Sequence, residues 1–157
     1  MIRATSIIRH EAVDQDRVVD VITLDHGDRH RRRIVLHADG GTSFLLDLDK
    51  AVVLEDGDAI RLDNGWLVTV KAAPEKLVEI RTGDALELLT LAWHIGNRHV
   101  PAEIARDAIY ITYDHVLIDM LKSLGATTSI VERPFRPVRG AYHHHDHNGQ
   151  HHGHSHE

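Results

Sequence analysis

Between Val18 and Val70 the chain keeps a rhythm that restricts its first half to β-structure. Short runs rich in Val, Ile and Leu fall at residues 18–24, 34–37, 44–48, 51–54, 59–62 and 66–70. Between them stand Asp-His-Gly-Asp, Ala-Asp-Gly-Gly, Glu-Asp-Gly-Asp and Asp-Asn-Gly, the Gly- and Asp/Asn-rich turns that close hairpins. No window there sustains a helical period, so residues 1–73 are expected to be a small all-β domain.

The period changes after Ala72-Ala73-Pro74. Residues 76–80 read as a strand, and Thr82-Gly83-Asp84 opens a helix running from Ala85 to about Ile95. Gly96-Asn97 is its expected stop, because those two residues best tolerate the left-handed backbone. Residues 102–105 and 108–112 form two strands joined by Arg106-Asp107. Asp114 is an N-cap for a second helix, with Val116, Leu117, Met120, Leu121 and Leu124 on one face, Gly125 at its end and a last strand at 127–131. Strand–helix–strand twice over is the ferredoxin-like βαββαβ order, assigned to residues 74–140. The fold class expected is therefore α+β. Residues 133–139 hold two of the four prolines and three arginines, which suits a stiff, extended exit from the fold.

Histidine is the compositional outlier, at 15 of 157 residues. Eight of them, His143, His144, His145, His147, His151, His152, His154 and His156, crowd the last stretch with only Asp, Asn, Gly, Gln, Ser and Glu between. No apolar side chain there offsets the entropy of ordering, so 141–157 is expected to be a disordered, metal-binding tail. Zero cysteines exclude disulfides and thiol nucleophiles, and a net charge of -6 gives no footprint for nucleic acid. No membrane-length apolar run and no secretory signal are present, so a cytoplasmic protein is expected. No zincin, nucleophile-elbow, phosphate-loop or dinucleotide motif is present, which argues against an enzyme. Among the body histidines, His99 follows the helix stop and can project from a loop. His115 takes the first helical position after Asp114, and His94, beside Trp93 and Ile95, suits packing. His10, His26, His30 and His37 sit in turns and strand ends and are read as ordinary. The basic run Arg29–Arg33 is read as a solvated strand edge, and Glu103 and Asp107 show no partner.

Two segments carry a resemblance. Gly96-Asn97-Arg98-His99-Val100-Pro101, and Tyr113-Asp114-His115-Val116-Leu117 with Met120-Leu121, resemble the UreE family of urease accessory proteins, as do the order of the two halves and the histidine-rich end. The resemblance implies a nickel metallochaperone that delivers Ni(II) for assembly of the urease active site. It also implies a homodimer formed through the second domain, a partner-binding first domain, and the GTPase UreG of the urease maturation complex as direct partner. By position, His99 matches the family's metal-binding histidine at the dimer interface, and His94 and His115 match peripheral metal positions. Tyr113 stands where some members have a histidine, so a His-x-His pair with His115 is absent.

One fixed histidine per chain is too few for a transition metal that takes four to six ligands. A two-fold axis doubles it, and tail imidazoles or water can complete an open, exchangeable site. Imidazole also suits Zn(II) and Cu(II) in vitro. Two other classes remain open from the residues alone: a metal storage or buffering protein built on the tail, and a protein-binding module with incidental metal.

Overall fold

The computed structural model describes residues 1–138. Its first part is a six-stranded sheet in the order β2-β6-β5-β1-β4-β3, built from β1 (Ile2–Ile8), β2 (Val18–Leu24), β3 (His30–His37), β4 (Ser43–Val53), β5 (Ala59–Leu62) and β6 (Leu67–Ala72). Side chains alternate along these strands, so one face supplies the core: Ile22, Leu24, Leu36, Phe44, Leu46, Leu48, Ile60, Leu62, Val68 and Val70 are all buried in one cluster. Two features differ from the sequence expectation. The runs at 44–48 and 51–54 are one strand, whose extra residues are absorbed by a register shift opposite Arg31–Arg33. And β1, outside the six runs, pairs parallel with β4 and antiparallel with β5. Only Ala4 of that strand is fully buried, so it lacks the apolar alternation by which strands are recognised.

The turn after β3 is organised by one carboxylate. Asp20 accepts from the backbone N–H of Gly40 at 2.8 Å and of Thr42 at 3.1 Å. Its pKa is held down at about 2, first by the Thr42 side chain and then by the N–H groups of Val21, Thr42 and Gly40. A pKa lowered on folding stabilises the fold above the unfolded value near 4, and that stability is lost as pH falls toward 2. Asp20→Asn is therefore expected to cost about 1–2 kcal/mol at pH 7, after allowance for solvent screening. Urea titrations across pH should show the difference vanishing near pH 2.

The second part follows the order β7 (Pro74–Arg81), α1 (Ala85–Asn97), β8 (Glu103–Ile104), β9 (Ile109–Thr112), α2 (His115–Ser123), β10 (Thr127–Pro134). Its sheet runs β10-β7-β9-β8 with every neighbouring pair antiparallel. Asp84 caps α1 by accepting from Glu87 N–H, and Asp114 caps α2 by accepting from Val116 and Leu117 N–H, as their sequence positions predict. One face of the sheet (Val78, Ile80, Ile109, Ile111) packs under Leu88, Leu91, Ile95, Leu117, Ile118 and Leu121 of the helices. The opposite face carries Leu77, Ala108 and Tyr110, with Phe135 buried among them. No helix among the described residues is long and apolar enough to cross a membrane.

The segment after β10 is not a bare exit. Phe135 is fully buried, Val138 N–H donates to Ala102 O at 2.8 Å, and the Arg133 guanidinium lies over the Tyr110 ring at 3.9 Å. Proline stiffness shapes this stretch, but a wholly apolar side chain at 135 pins it to the sheet.

Candidate metal centre

The end of α1 decides where His99 points. Gly96 and Asn97, the expected left-handed stop, are both helical, and the left-handed residue is His99 itself, with φ 57°. His99 N–H donates to Gly96 O at 3.0 Å and Val100 N–H reaches Ile95 O at 3.5 Å. These are the paired bonds of a Schellman cap, completed by Val100 packing against the cluster that holds Ile95. The cap lies beyond the glycine because the first apolar residue able to fold back on Ile95 is Val100, and the residue before it must take the left-handed conformation. A side chain there costs about 1–2 kcal/mol of backbone strain. His99 is the only non-glycine with positive φ among the described residues, and strain of this kind concentrates at functional positions.

The exposed His99 lines a groove of about 790 Å³ shared with His26, Arg29, Val100, Ile104, Arg136 and Val138. His115, exposed at the start of α2, lines a different cleft of about 310 Å³ with Tyr113, Asp119, Lys122 and Ser129. His94 is half-buried, edge-on to Trp93 with centroids 5.1 Å apart. Thus His99 and His115 occupy separate cavities, and no three His, Asp or Glu side chains among the described residues stand together as a ready metal cage. The eight tail histidines, from His143 to His156, lie outside the described residues.

Two residues without a site role in the sequence reading, His26 and Arg29, line the groove. Arg29, read above as part of a solvated edge, is 2% exposed and donates from Nη1 to Leu54 O at 3.4 Å and from Nη2 to Phe135 O. His26 Nδ1 lies 2.7 Å from Glu75 Oε1, its N–H donates to Glu75 Oε2, and its ring meets Phe135 edge-on at 4.9 Å. Glu103 and Asp107 do have partners. Glu103 accepts from Arg133 Nη2 and Arg136 N–H, each at 2.8 Å, and Asp107 pairs with Arg81 at 3.1 Å. Only the unbroken basic run hinted at Arg29, because its partner carbonyl is 106 residues away.

The site thus presents one exposed imidazole, fixed by the backbone at the rim of a groove, and no assembled catalytic or metal cluster among the described residues. The comparisons with known proteins supply the class, an accessory protein rather than a catalyst. The chain belongs to the UreE family of urease accessory proteins: residues 4–73 match the UreE urease accessory protein N-terminal domain, and residues 75–157 its C-terminal domain. It is 62% identical over 142 residues to the urease accessory protein UreE of Azorhizobium caulinodans, covering 90% of this chain and 68% of that one. To the UreE of Chelativorans sp. it is 50% identical over 159 residues, covering 100% and 98% of the two chains. To that of Agrobacterium fabrum it is 46% identical over 158 residues, covering 100% and 93%. Its role is in urease maturation, as an accessory protein and not an enzyme.

Proposed function

We propose that this chain is a nickel metallochaperone that works in the cytoplasm as a homodimer and hands Ni(II), its cargo, to the urease maturation complex through UreG. The observation that carries the reading is His99, held outward by a strained cap at the groove rim in a member of this family. In this reading residues 1–73 form the partner-binding domain and 74–140 a ferredoxin-like domain. The sheet order β10-β7-β9-β8, numbered within that domain as 4-1-3-2, supports the latter. A two-fold axis brings two His99 rings to one ion, and tail imidazoles or water complete its shell. His115 and His94 are peripheral positions, and the tail collects ions.

A dimer needs an apolar face to bury, and α1 offers one. Leu86, Leu89 and Trp93, spaced at i, i+3 and i+7, are 73%, 68% and 64% exposed on the helix that ends at His99. Trp93→Asp is expected to convert the dimer into a folded monomer, read by light scattering. An unchanged mass would remove α1 from the interface.

The test of the whole reading is a calorimetric nickel titration on the full chain and on a chain truncated after Gly140. Truncation is expected to lower the number of ions bound while keeping at least one tight site per dimer. If the truncated protein folds but binds nickel only weakly, storage by the tail replaces delivery through His99.

A further inference from the structure

The lining of the groove beside His99 holds two arginines, Arg29 and Arg136, against one carboxylate, Glu55. Arginine stays protonated at any ordinary pH, so Arg29 is a cation 98% removed from solvent, and its Nε has no hydrogen-bond partner. Neither Arg29 nor Arg136, which shares the groove lining, forms an ion pair among the described residues. The two guanidinium charges repel one another, while Glu75 (shared with His26), Asp25 and Asp56 favour the Arg29 cation from outside the groove lining. Glu55 is the only acidic residue on the groove lining. In a chain of net charge -6 the lining itself thus carries more cations than carboxylates, and a buried charge with no direct ion pair is costly.

Apart from His26, His30 and His99, the rest of the lining is apolar. Val53, Ala92, Val100, Ile104 and Val138 line a groove of about 790 Å³, with walls drawn from both halves of the chain. Apolar walls bind side chains by excluding water, and two cations at one side fix which charge goes with them. A small anion satisfies the second requirement but not the first. A basic peptide satisfies the first and is repelled by the second.

We propose that this groove docks a partner-protein segment that is both apolar and acidic, its apolar side chains against Val53, Val100 and Ile104 and its carboxylates in the field of Arg29 and Arg136. The occupant touches both halves at once, next to His99. The site is recognised by charge and shape and does not depend on the nickel reading.

The test uses the full-length protein in a chelating buffer and two fluorescein-labelled short peptides, one of alternating Leu and Glu, the other of alternating Leu and Lys. Fluorescence anisotropy is expected to show the Leu/Glu peptide binding at least about tenfold more tightly than the Leu/Lys peptide. Arg136→Glu, at an exposed position, should weaken the Leu/Glu peptide by about tenfold or more, and Glu55→Gln should tighten it several-fold. Equal affinity for the two peptides, or an unchanged affinity in both variants, overturns the proposal. Free glutamate competing as well as the peptide also overturns it, since the site would then take small anions. Nickel titration of Arg136→Glu should match that of the unaltered chain. Failure of peptide docking is thereby separated from failure of metal binding.

Discussion

Replacing His99 by glycine is expected to strengthen the fold and to remove tight nickel binding. Glycine has no Cβ to strain against the left-handed backbone at φ 57°, which relieves about 1–2 kcal/mol. The greater freedom of glycine in the unfolded chain takes back part of this, leaving a gain of about 0.5–1 kcal/mol. In the proposed function the same replacement removes an imidazole ligand from each subunit. Even the outer partners of metal ligands are worth about 10–100-fold in affinity, so the loss of His99 should reach at least about 100-fold in a chain truncated after Gly140. His99→Ala keeps the strain and loses the same affinity, which separates the two effects. Urea unfolding and nickel calorimetry on both variants make the measurement. A glycine variant that binds nickel as well as the parent chain would remove His99 from the site. A glycine variant that is less stable would show that the cap is not strained.

The second large effect is structural. Arg29→Ala is expected to cost about 3–4 kcal/mol, measured by chemical denaturation. The carbonyls of Leu54 and Phe135 lose their donor, at about 1–3 kcal/mol for each buried acceptor left unpaired. A cavity opens where a long side chain was fully enclosed. Loss of the buried charge itself works in the other direction and limits the total. Arg29→Lys should recover little, since an ammonium cannot span two carbonyls as a guanidinium fork does. Because those carbonyls belong to opposite halves of the chain, the Ala variant should also unfold less cooperatively. A change below about 0.5 kcal/mol would mean that Arg29 links nothing.

What could be read in advance followed local rules. The Asp-Gly turns, the Asp84 and Asp114 caps and the Gly125 stop each depend on a few neighbouring residues, and each stands where its chemistry requires. What could not be read depends on residues far apart. The parallel pairing of β1 with β4 needs residues 2–4 to meet 44–46, and no local pattern encodes it. Arg29 looks like its solvated neighbours Arg31 and Arg33, and only the arrival of Phe135 makes it a buried cation. The α1 stop is an intermediate case. Glycine propensity pointed to position 96, but an apolar contact three residues past the helix end, at Val100, set the boundary and turned a histidine into the left-handed residue. His99 was thus legible as an exposed residue past the helix end, whereas the strain that fixes its direction was not.

The two exposed helix-end histidines also differ in sign of field. The peptide dipoles of α1 leave roughly half a negative charge at its carbonyl end, where His99 follows, and those of α2 leave as much positive charge at its N–H end, where His115 begins. Asp114, bonded to the N–H groups of Val116 and Leu117, offsets part of the latter. A divalent ion is drawn toward the first end and pushed from the second, by about 1 kcal/mol in each direction for an ion of that charge. Helix polarity by itself therefore ranks the two positions: in the proposed function, a metal would rest at His99 and leave His115 more readily.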